Sequence, residues 1–346
     1  MVSAMQEPLL MDLRNNVYLE DDSLVIIDRR KLPTEQVPVV CRNYEEVARA
    51  IEDMVVQGAG DIAITAGYGL YLATKALERQ GKTVKWEKLE PVINRLKSTR
   101  PTGFHLAALL DRLKRDLAET SEEKEIPLSN RIQQYLETIL DKQKVRSEKT
   151  GREAESLLKT GETVLTHCFA GPALFYMLRY ARGNGKDVKV MCTETRPYLQ
   201  GARLTAWSVS QLGVDTTLIT DNMAAHFMSQ GLINRVFVAA DRVAIDGVVA
   251  NKVGTLQLAI VANYYGIPFH VLGYGGPDRR TRSGQEIPIE YRDPSEVLEF
   301  RGIRITGPEV KAVYPAFDLT PPQLVTSIIT DKGIFRPENI NDYWTA

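Results

Sequence analysis

The chain has 346 residues, 44% of them hydrophobic and 25% charged, which suits a globular protein with room for two domains. A formal net charge of -1 gives no argument for nucleic acid or an anionic membrane as a partner. Three widely spaced cysteines, Cys41, Cys168 and Cys192, suit neither a disulfide framework nor a zinc site, and no metal or cofactor is expected. No apolar run reaches the length of a membrane span, and the Met1 end lacks a basic region followed by an apolar one. A cytoplasmic protein is therefore expected.

Residues 1–22 are polar and weakly patterned, and residues 24–27 read as a short strand followed by the breakers Pro33 and Pro38. From Tyr44 the period becomes helical, with Val47, Ile51, Met54 and Val55 on one face. Gly58-Ala59-Gly60-Asp61 interrupts that pattern before a helix rich in small residues. Further helices are expected over residues 86–97, after Thr99-Arg100-Pro101-Thr102 with Pro101 near a first turn, and within 130–158. Residues 1–144 thus read as a small β element plus helices.

From Gly161 the pattern changes to alternating strands and helices. Apolar runs at 163–165, 188–191, 216–219, 236–240 and 268–272 are separated by helix-like segments at 171–182, 199–212, 222–230 and 252–265. This predicts an α/β fold with a doubly wound parallel sheet over residues 145–346. The pairs Gly67/Gly69 and Gly273/Gly275 lack the rest of a dinucleotide fingerprint, so NAD is not expected.

Several strand ends carry polar residues at the edge where open α/β sheets bind ligands. The unalternating run 236–240 stops at Asp241, a candidate acid or base. Asn251 and Lys252 lead into a helix-like segment whose first N–H groups suit an anion, although Asp241 as a loop cap and Lys252 as a solvated lysine fit this stretch equally well. The first strand ends in Thr166-His167-Cys168. A helix N-terminus there favours a thiolate, so Cys168 is expected to exchange a proton near neutral pH, the alternative being an inert buried cysteine; His167 reads as structural. The next strand is followed by Glu194 and Gln200. Such a convergence is hard to explain by capping alone. Gly58, Ala59, Gly60 and Arg100 are candidates from the helical part.

With RPT at Arg100, THC at Thr166, ETRPYLQGARLTAW at Glu194, ADRVA at Ala240, ANKVGT at Ala250, IPIE at Ile287 and AFDLTP at Ala316, the chain resembles the methylthioribose-1-phosphate isomerases. These are relatives of regulatory subunits of the eukaryotic translation-initiation exchange factor and of archaeal ribose-1,5-bisphosphate isomerases. The resemblance implies a small helical N-terminal domain, a Rossmann-like C-terminal domain and a homodimer. It implies catalytic roles for Cys168 and Asp241, and phosphate and sugar binding by Arg100, Gln200, Asn251 and Lys252.

The sequence departs from that family at Gln57 (an arginine in the family), in the loop containing Asp61, at Phe169 (an asparagine) and at His105 (an asparagine). Asp61 is expected to cap the following helix or to bond a sugar hydroxyl. Phe169 makes one wall more apolar and favours an uncharged C5 substituent, methyl or methylthio. The implied reaction turns an aldose 1-phosphate into a ketose 1-phosphate, with Cys168 as the acid at the ring oxygen and Asp241 acting at C2. A bisphosphate substrate would need a second anion site, for which Arg279, Arg280 and Arg282 are candidates against a solvated basic loop. A non-catalytic sugar-phosphate or nucleotide sensor is the rival from another class.

Overall fold

A computed structural model describes residues 7–81, 84–100, 103–118 and 126–346. The described chain forms two compact units, residues 12–144 and residues 7–11 with 145–346.

In the N-terminal unit, β1 (Val17–Glu20), β2 (Ser23–Ile27) and β3 (Pro38–Cys41) form an antiparallel sheet with β2 in the middle. β1 falls in the segment whose weak pattern suggested no element. Pro38 opens β3 rather than breaking the chain, because this edge strand pairs only with β2 and a missing N–H at its start costs little. Helix α1 (Tyr44–Glu52) is capped by Asn43, whose side chain accepts from the Glu46 N–H while Glu46 accepts from Asn43 Nδ2. Helix α2 (Ala59–Glu78) starts directly after Gly58, at φ 104°, so Ala59, Gly60 and Asp61 form its first turn instead of an interruption. The small residues of α2 serve close packing: a Cβ on Gly67 would lie 2.5 Å from Leu136 Cδ2. Helices α3 (Trp86–Ser98), α4 (Phe104–Ala118) and α5 (Leu128–Glu155) complete the helical part, and the unit boundary falls within α5. Their apolar faces, including Leu89, Leu110 and Leu136, share one core with Ile51 and Ile64. Pro101 lies outside the described residues.

The C-terminal unit runs β4 (Thr163–Thr166), α6 (Pro172–Gly183), β5 (Lys189–Thr193), a π-helical turn (Gly201–Ala206) leading into α7 (Trp207–Gln211), β6 (Thr216–Ile219), α8 (Ala224–Ser229) and β7 (Arg235–Ala239). Short strands β8 (Arg242–Val243) and β9 (Val249–Lys252) precede α9 (Thr255–Tyr264) and β10 (Phe269–Tyr274). Then come β11 (Tyr291–Arg292), α10 (Ser295–Leu298), the hairpin β12 (Glu299–Phe300) and β13 (Ile303–Arg304), β14 (Tyr314–Pro315), β15 (Phe317–Thr320), β16 (Ser327–Thr330) and β17 (Gly333–Phe335).

The main sheet has the order β17-β16-β10-β7-β4-β5-β6 and is parallel except for β17. Val236, Phe237 and Val238 of β7 are buried, which is why that run does not alternate. The chain builds outward from β4 through β5 and β6, then returns to β7 on the other side and continues through β10. The order therefore reverses between β4 and β7, the crevice where doubly wound sheets bind ligands. Beside this sheet, β9 pairs with both β8 and β15, and β11 pairs with β14, all antiparallel. The helix expected over residues 252–265 begins three residues later, because Asn251 and Lys252 belong to β9.

Candidate active site

Cys168 follows β4 and Asp241 follows β7, two paired neighbours at the point where the strand order reverses. The Asp241 N–H donates to the Ala250 carbonyl at 2.9 Å, tying the end of β7 to β9. β9 carries Asn251 and Lys252, both buried. Burial lowers the Lys252 ammonium to about 8, and Arg292 pushes in the same direction, while Cys168, Glu290 and Asp241 pull the other way. The lysine thus lies within electrostatic reach of both the thiol and this carboxylate.

The Cys168 loop is held in a left-handed conformation, φ 61°, and so are Thr195, φ 63°, and Leu199, φ 58°. Non-glycine residues seldom adopt this conformation, and such residues cluster where the surrounding structure dictates a functional geometry. Here the restraints are visible. The Cys168 N–H donates to Thr195 Oγ1 at 2.8 Å, and Thr205 Oγ1, in the π-helical turn, donates to the Cys168 carbonyl at 2.6 Å. Thr195 is fixed in turn by its N–H donating to Asp221 Oδ1 at 2.7 Å. Gly201 lets that turn approach, since a Cβ there would sit 1.9 Å from the Thr193 carbonyl oxygen.

His167 is buried, with Nε2 at 3.0 Å from the Val253 carbonyl and Nδ1 at 2.6 Å from Thr193 Oγ1. A carbonyl can only accept, so Nε2 carries the proton and Nδ1 accepts from the threonine. Burial lowers the pKa of this imidazole, which keeps it neutral and structural.

The expected thiolate at Cys168 is corrected. Helix α6 starts at Pro172, four residues on, and the Cys168 N–H is already given to Thr195. Burial raises the thiol above its ordinary value, and Lys252 offsets this only in part. Cys168 is a protonated thiol at neutral pH, which suits a proton donor.

The anion cradle expected at the start of α9 is also corrected. Asp318 of β15 occupies it: Oδ2 accepts from the Gly254 N–H at 2.7 Å and Oδ1 from the Leu256 N–H at 3.1 Å. Lys252 is buried, not solvated, and its charge acts on Asp318, while Asn251 Nδ2 donates to Thr255 Oγ1 at 3.0 Å. Gln200, directly before the π-helical turn, is buried with its Oε1 unpaired by any described group. Glu194 is half-buried, and burial together with Asp221 raises its carboxyl. Phe169 packs on Phe175, ring centres 6.1 Å apart.

Gly58, Ala59, Gly60 and Arg100 belong to the N-terminal unit. Arg100 Nη2 donates to the Ile51 carbonyl at 3.3 Å and contacts Met54 Sδ. Asp61 neither caps its helix with its side chain nor stands alone: it pairs with Arg29 Nη2 at 2.7 Å. That buried guanidinium also bonds the Gln57 carbonyl and, at 2.7 Å, Asn16 Oδ1. The positive charge missing at Gln57 is thus present beside its backbone as Arg29. His105 is exposed.

The sequence reading missed a second wall around Lys252. Lys252 Nζ lies 3.3 Å from the Tyr314 hydroxyl, and Arg292 is bound by Glu290 at 3.0 Å. Phe317 and Asp318 come from β15. Glu290 ends the IPIE motif and both β15 residues lie in AFDLTP, so the signal was present as unassigned motifs. Arg279 stacks on Trp344 and Arg280 pairs with Asp278, both exposed, as a basic loop would be. Among the described residues no group of His, Cys, Asp or Glu is arranged to hold a metal, and no helix is long and apolar enough to cross a membrane.

Fold and site together define a doubly wound α/β protein with a thiol–carboxylate–lysine cluster at the strand-order reversal. Residues 55–337 match the Initiation factor 2 subunit family. A methylthioribose-1-phosphate isomerase from Petrotoga mobilis is 43% identical over 333 residues, covering 91% of this chain and 93% of that one. The crystal structure of 5-methylthioribose 1-phosphate isomerase from Pyrococcus horikoshii OT3 is similar with a TM-score of 0.84 at 36% identity, covering 95% of each chain. That of the translation initiation factor eIF-2B, subunit delta, from A. fulgidus gives 0.76 at 32% identity, covering 94% of this chain and 96% of that one. The chain belongs to the Initiation factor 2 subunit family, in its methylthioribose-1-phosphate isomerase branch.

Proposed function

We propose that this protein is an aldose–ketose isomerase that converts 5-methylthioribose 1-phosphate, 5-deoxyribose 1-phosphate or both to the corresponding ribulose 1-phosphate, in salvage of S-adenosylmethionine by-products. The observation that carries the chemistry is that Cys168, just past β4, and Asp241, just past the adjacent β7, both lie within electrostatic reach of Lys252 at the reversal of strand order. Because C1 carries the phosphate, the sugar ring opens only if its ring oxygen is protonated. Cys168 supplies that proton, and the thiolate left behind faces Lys252, whose charge favours it. Asp241 acts at C2, where hydrogen must leave for C1. Lys252 and Asn251 hold the phosphate and sugar, and the unpaired Gln200 Oε1 accepts from a sugar hydroxyl. Arg100 is a substrate-binding residue on the strength of the resemblance, and Gly58, Ala59 and Gly60 are substrate-binding as a glycine loop whose N–H groups suit phosphate.

The test is turnover of three substrates: the methylthio and 5-deoxy pentose 1-phosphates and ribose 1,5-bisphosphate. The first two are expected to be accepted, differing by no more than ~10–200-fold in kcat/KM, since a sulfur atom adds little apolar surface over a methyl group. Preference for the bisphosphate, or no turnover of any of the three, would overturn the reading. Cys168→Ser and Asp241→Asn are each expected to abolish turnover with substrate binding kept. We extend the reading to a cytoplasmic homodimer, supported by the resemblance and by apolar side chains at the surface of the C-terminal unit, among them Leu218, Ile260 and Tyr264. A monomer mass in sedimentation equilibrium at micromolar concentration would remove the dimer.

A further inference from the structure

Lys252 and Arg292 share an aromatic ring. Phe317 stands opposite Lys252 in the β9–β15 ladder, and Tyr314 stands opposite Arg292 in the β11–β14 ladder. Lys252 Nζ lies 5.4 Å from the Phe317 ring centre and 5.5 Å from that of Tyr314. The Arg292 guanidinium lies 5.9 Å from the same Phe317 ring and 5.6 Å from Tyr198. Glu290 grips it from the other side, with Nε at 3.0 Å from Oε1 and Nη2 at 3.4 Å from Oε2. A fork held at two nitrogens and flanked by two rings is a fixed charge, unlike a lysine on a mobile stem.

We propose that Arg292, gripped by Glu290 and set beside the Phe317 ring, is a positioning residue for Lys252: it braces the aromatic wall against the ammonium and holds a fixed like charge near it, at a place meant for an anionic substrate group. Lys252 is buried, so a fixed like charge acts on it with less screening than at the surface. Other charged or titratable groups face the lysine as well. Cys168 and Asp241 project from the ends of β4 and β7, and Glu290 from just before β11. Tyr314 of β14 is in contact, and Asp318 of β15 and His167 both feel the lysine's charge. Arg292 favours loss of the Lys252 proton, whereas Glu290 opposes it, so removing one or the other has opposite consequences.

The inference rests on the reading above for what Lys252 holds, but it is tested without it. Lysines labelled with ¹³C at Cε are titrated by NMR from pH 6 to 11, with Lys252 assigned from the spectrum of Lys252→Arg. The Lys252 midpoint, near 8 in the parent protein, is expected to rise by about 1 pH unit in Arg292→Gln and to fall in Glu290→Gln. Arg292→Lys, which keeps the charge, is expected to leave the midpoint near the parent value. Midpoints that stay put, or move the same way in both charge-removing variants, overturn the inference. Should Arg292→Gln fail to fold, the downward shift in Glu290→Gln carries the test. Inhibition by inorganic phosphate is measured over the same pH range. A midpoint that moves as expected while phosphate inhibition ignores it upholds the inference and removes Lys252 from phosphate binding.

Discussion

Two helices, one in each unit, begin in the same way and teach different things. Both α2 and α9 follow a glycine at φ 104°, Gly58 and Gly254, and both starts look from the sequence like places for a phosphate. In α9 the negative charge is supplied from within: Asp318 takes the N–H groups of Gly254 and Leu256. In α2 the first turn carries Asp61, and its charge is met by the buried Arg29. A glycine-opened helix is therefore only half of an anion site. The other half is whether the fold already places a carboxylate there, and which cation answers it.

The largest effect expected from breaking this comparison is at the Arg29–Asp61 pair. Asp61→Ala leaves a buried guanidinium without its carboxylate and is expected to cost about 3 kcal/mol in urea unfolding. Combining it with Arg29→Met should recover part of that loss, because no charge is then stranded. No recovery in the double variant would mean that the contacts of Arg29 with Asn16 and the Gln57 carbonyl matter more than the ion pair.

The two glycines should then separate. An alanine Cβ at Gly254 would lie 3.0 Å from His167 Cε1 and 3.1 Å from Nε2, on an imidazole fixed at both nitrogens. At Gly58 the nearest atom is Asp61 Oδ2, at 3.4 Å. The backbones differ as well: Gly254, ψ -18°, lies in the left-handed helical region, whereas Gly58, ψ 128°, lies where glycine alone is at ease, so Gly254→Ala is dominated by contact with His167 and Gly58→Ala by backbone strain of about 1–3 kcal/mol. A larger loss at Gly254 in urea unfolding would show that contact with His167 outweighs backbone conformation, and a larger loss at Gly58 the reverse.

The comparison also marks where the sequence was legible. Strand ends that carry Cys168 and Asp241 could be placed, because unalternating runs bounded by polar residues identify buried parallel strands. Lys252 was assigned to a helix because the run from Asn251 into α9 has no periodicity to separate a four-residue strand from a helix start. Phe317 and Asp318 stood in a visible motif, but the placement of these two and of Arg292 around Lys252 was out of reach for another reason. They arrive through antiparallel pairings between segments far apart in the chain, which no local pattern encodes. β1, β16 and β17, each three or four residues long, are too short for a period to show. The chemistry thus came from the parallel strand ends and its electrostatic setting from the small antiparallel ladders.

The smallest effect concerns Asp318 itself, and pH decides it. Burial raises this carboxyl to about 6, despite two bonds from backbone N–H groups that favour the charged form. An aspartate in an unfolded chain titrates near ~3.9, so between the two values the folded state holds a proton that the unfolded state has released. The stability this group contributes is therefore fully present below about pH 4 and is lost as pH rises through about 6. Asp318→Asn cannot ionise, and its amide oxygen can still accept from one end of α9. The variant is expected to be weaker than the parent at pH 4, by about 1 kcal/mol, and to match or overtake it by pH 7. Unfolding free energies of the two proteins measured in parallel at pH 4, 5, 6 and 7 give the difference directly, with the other carboxylates cancelling between them. A gap that widens with pH would mean that the charged carboxylate at the helix start outweighs the cost of burying it, and that α9 is held by its anion and not in spite of it.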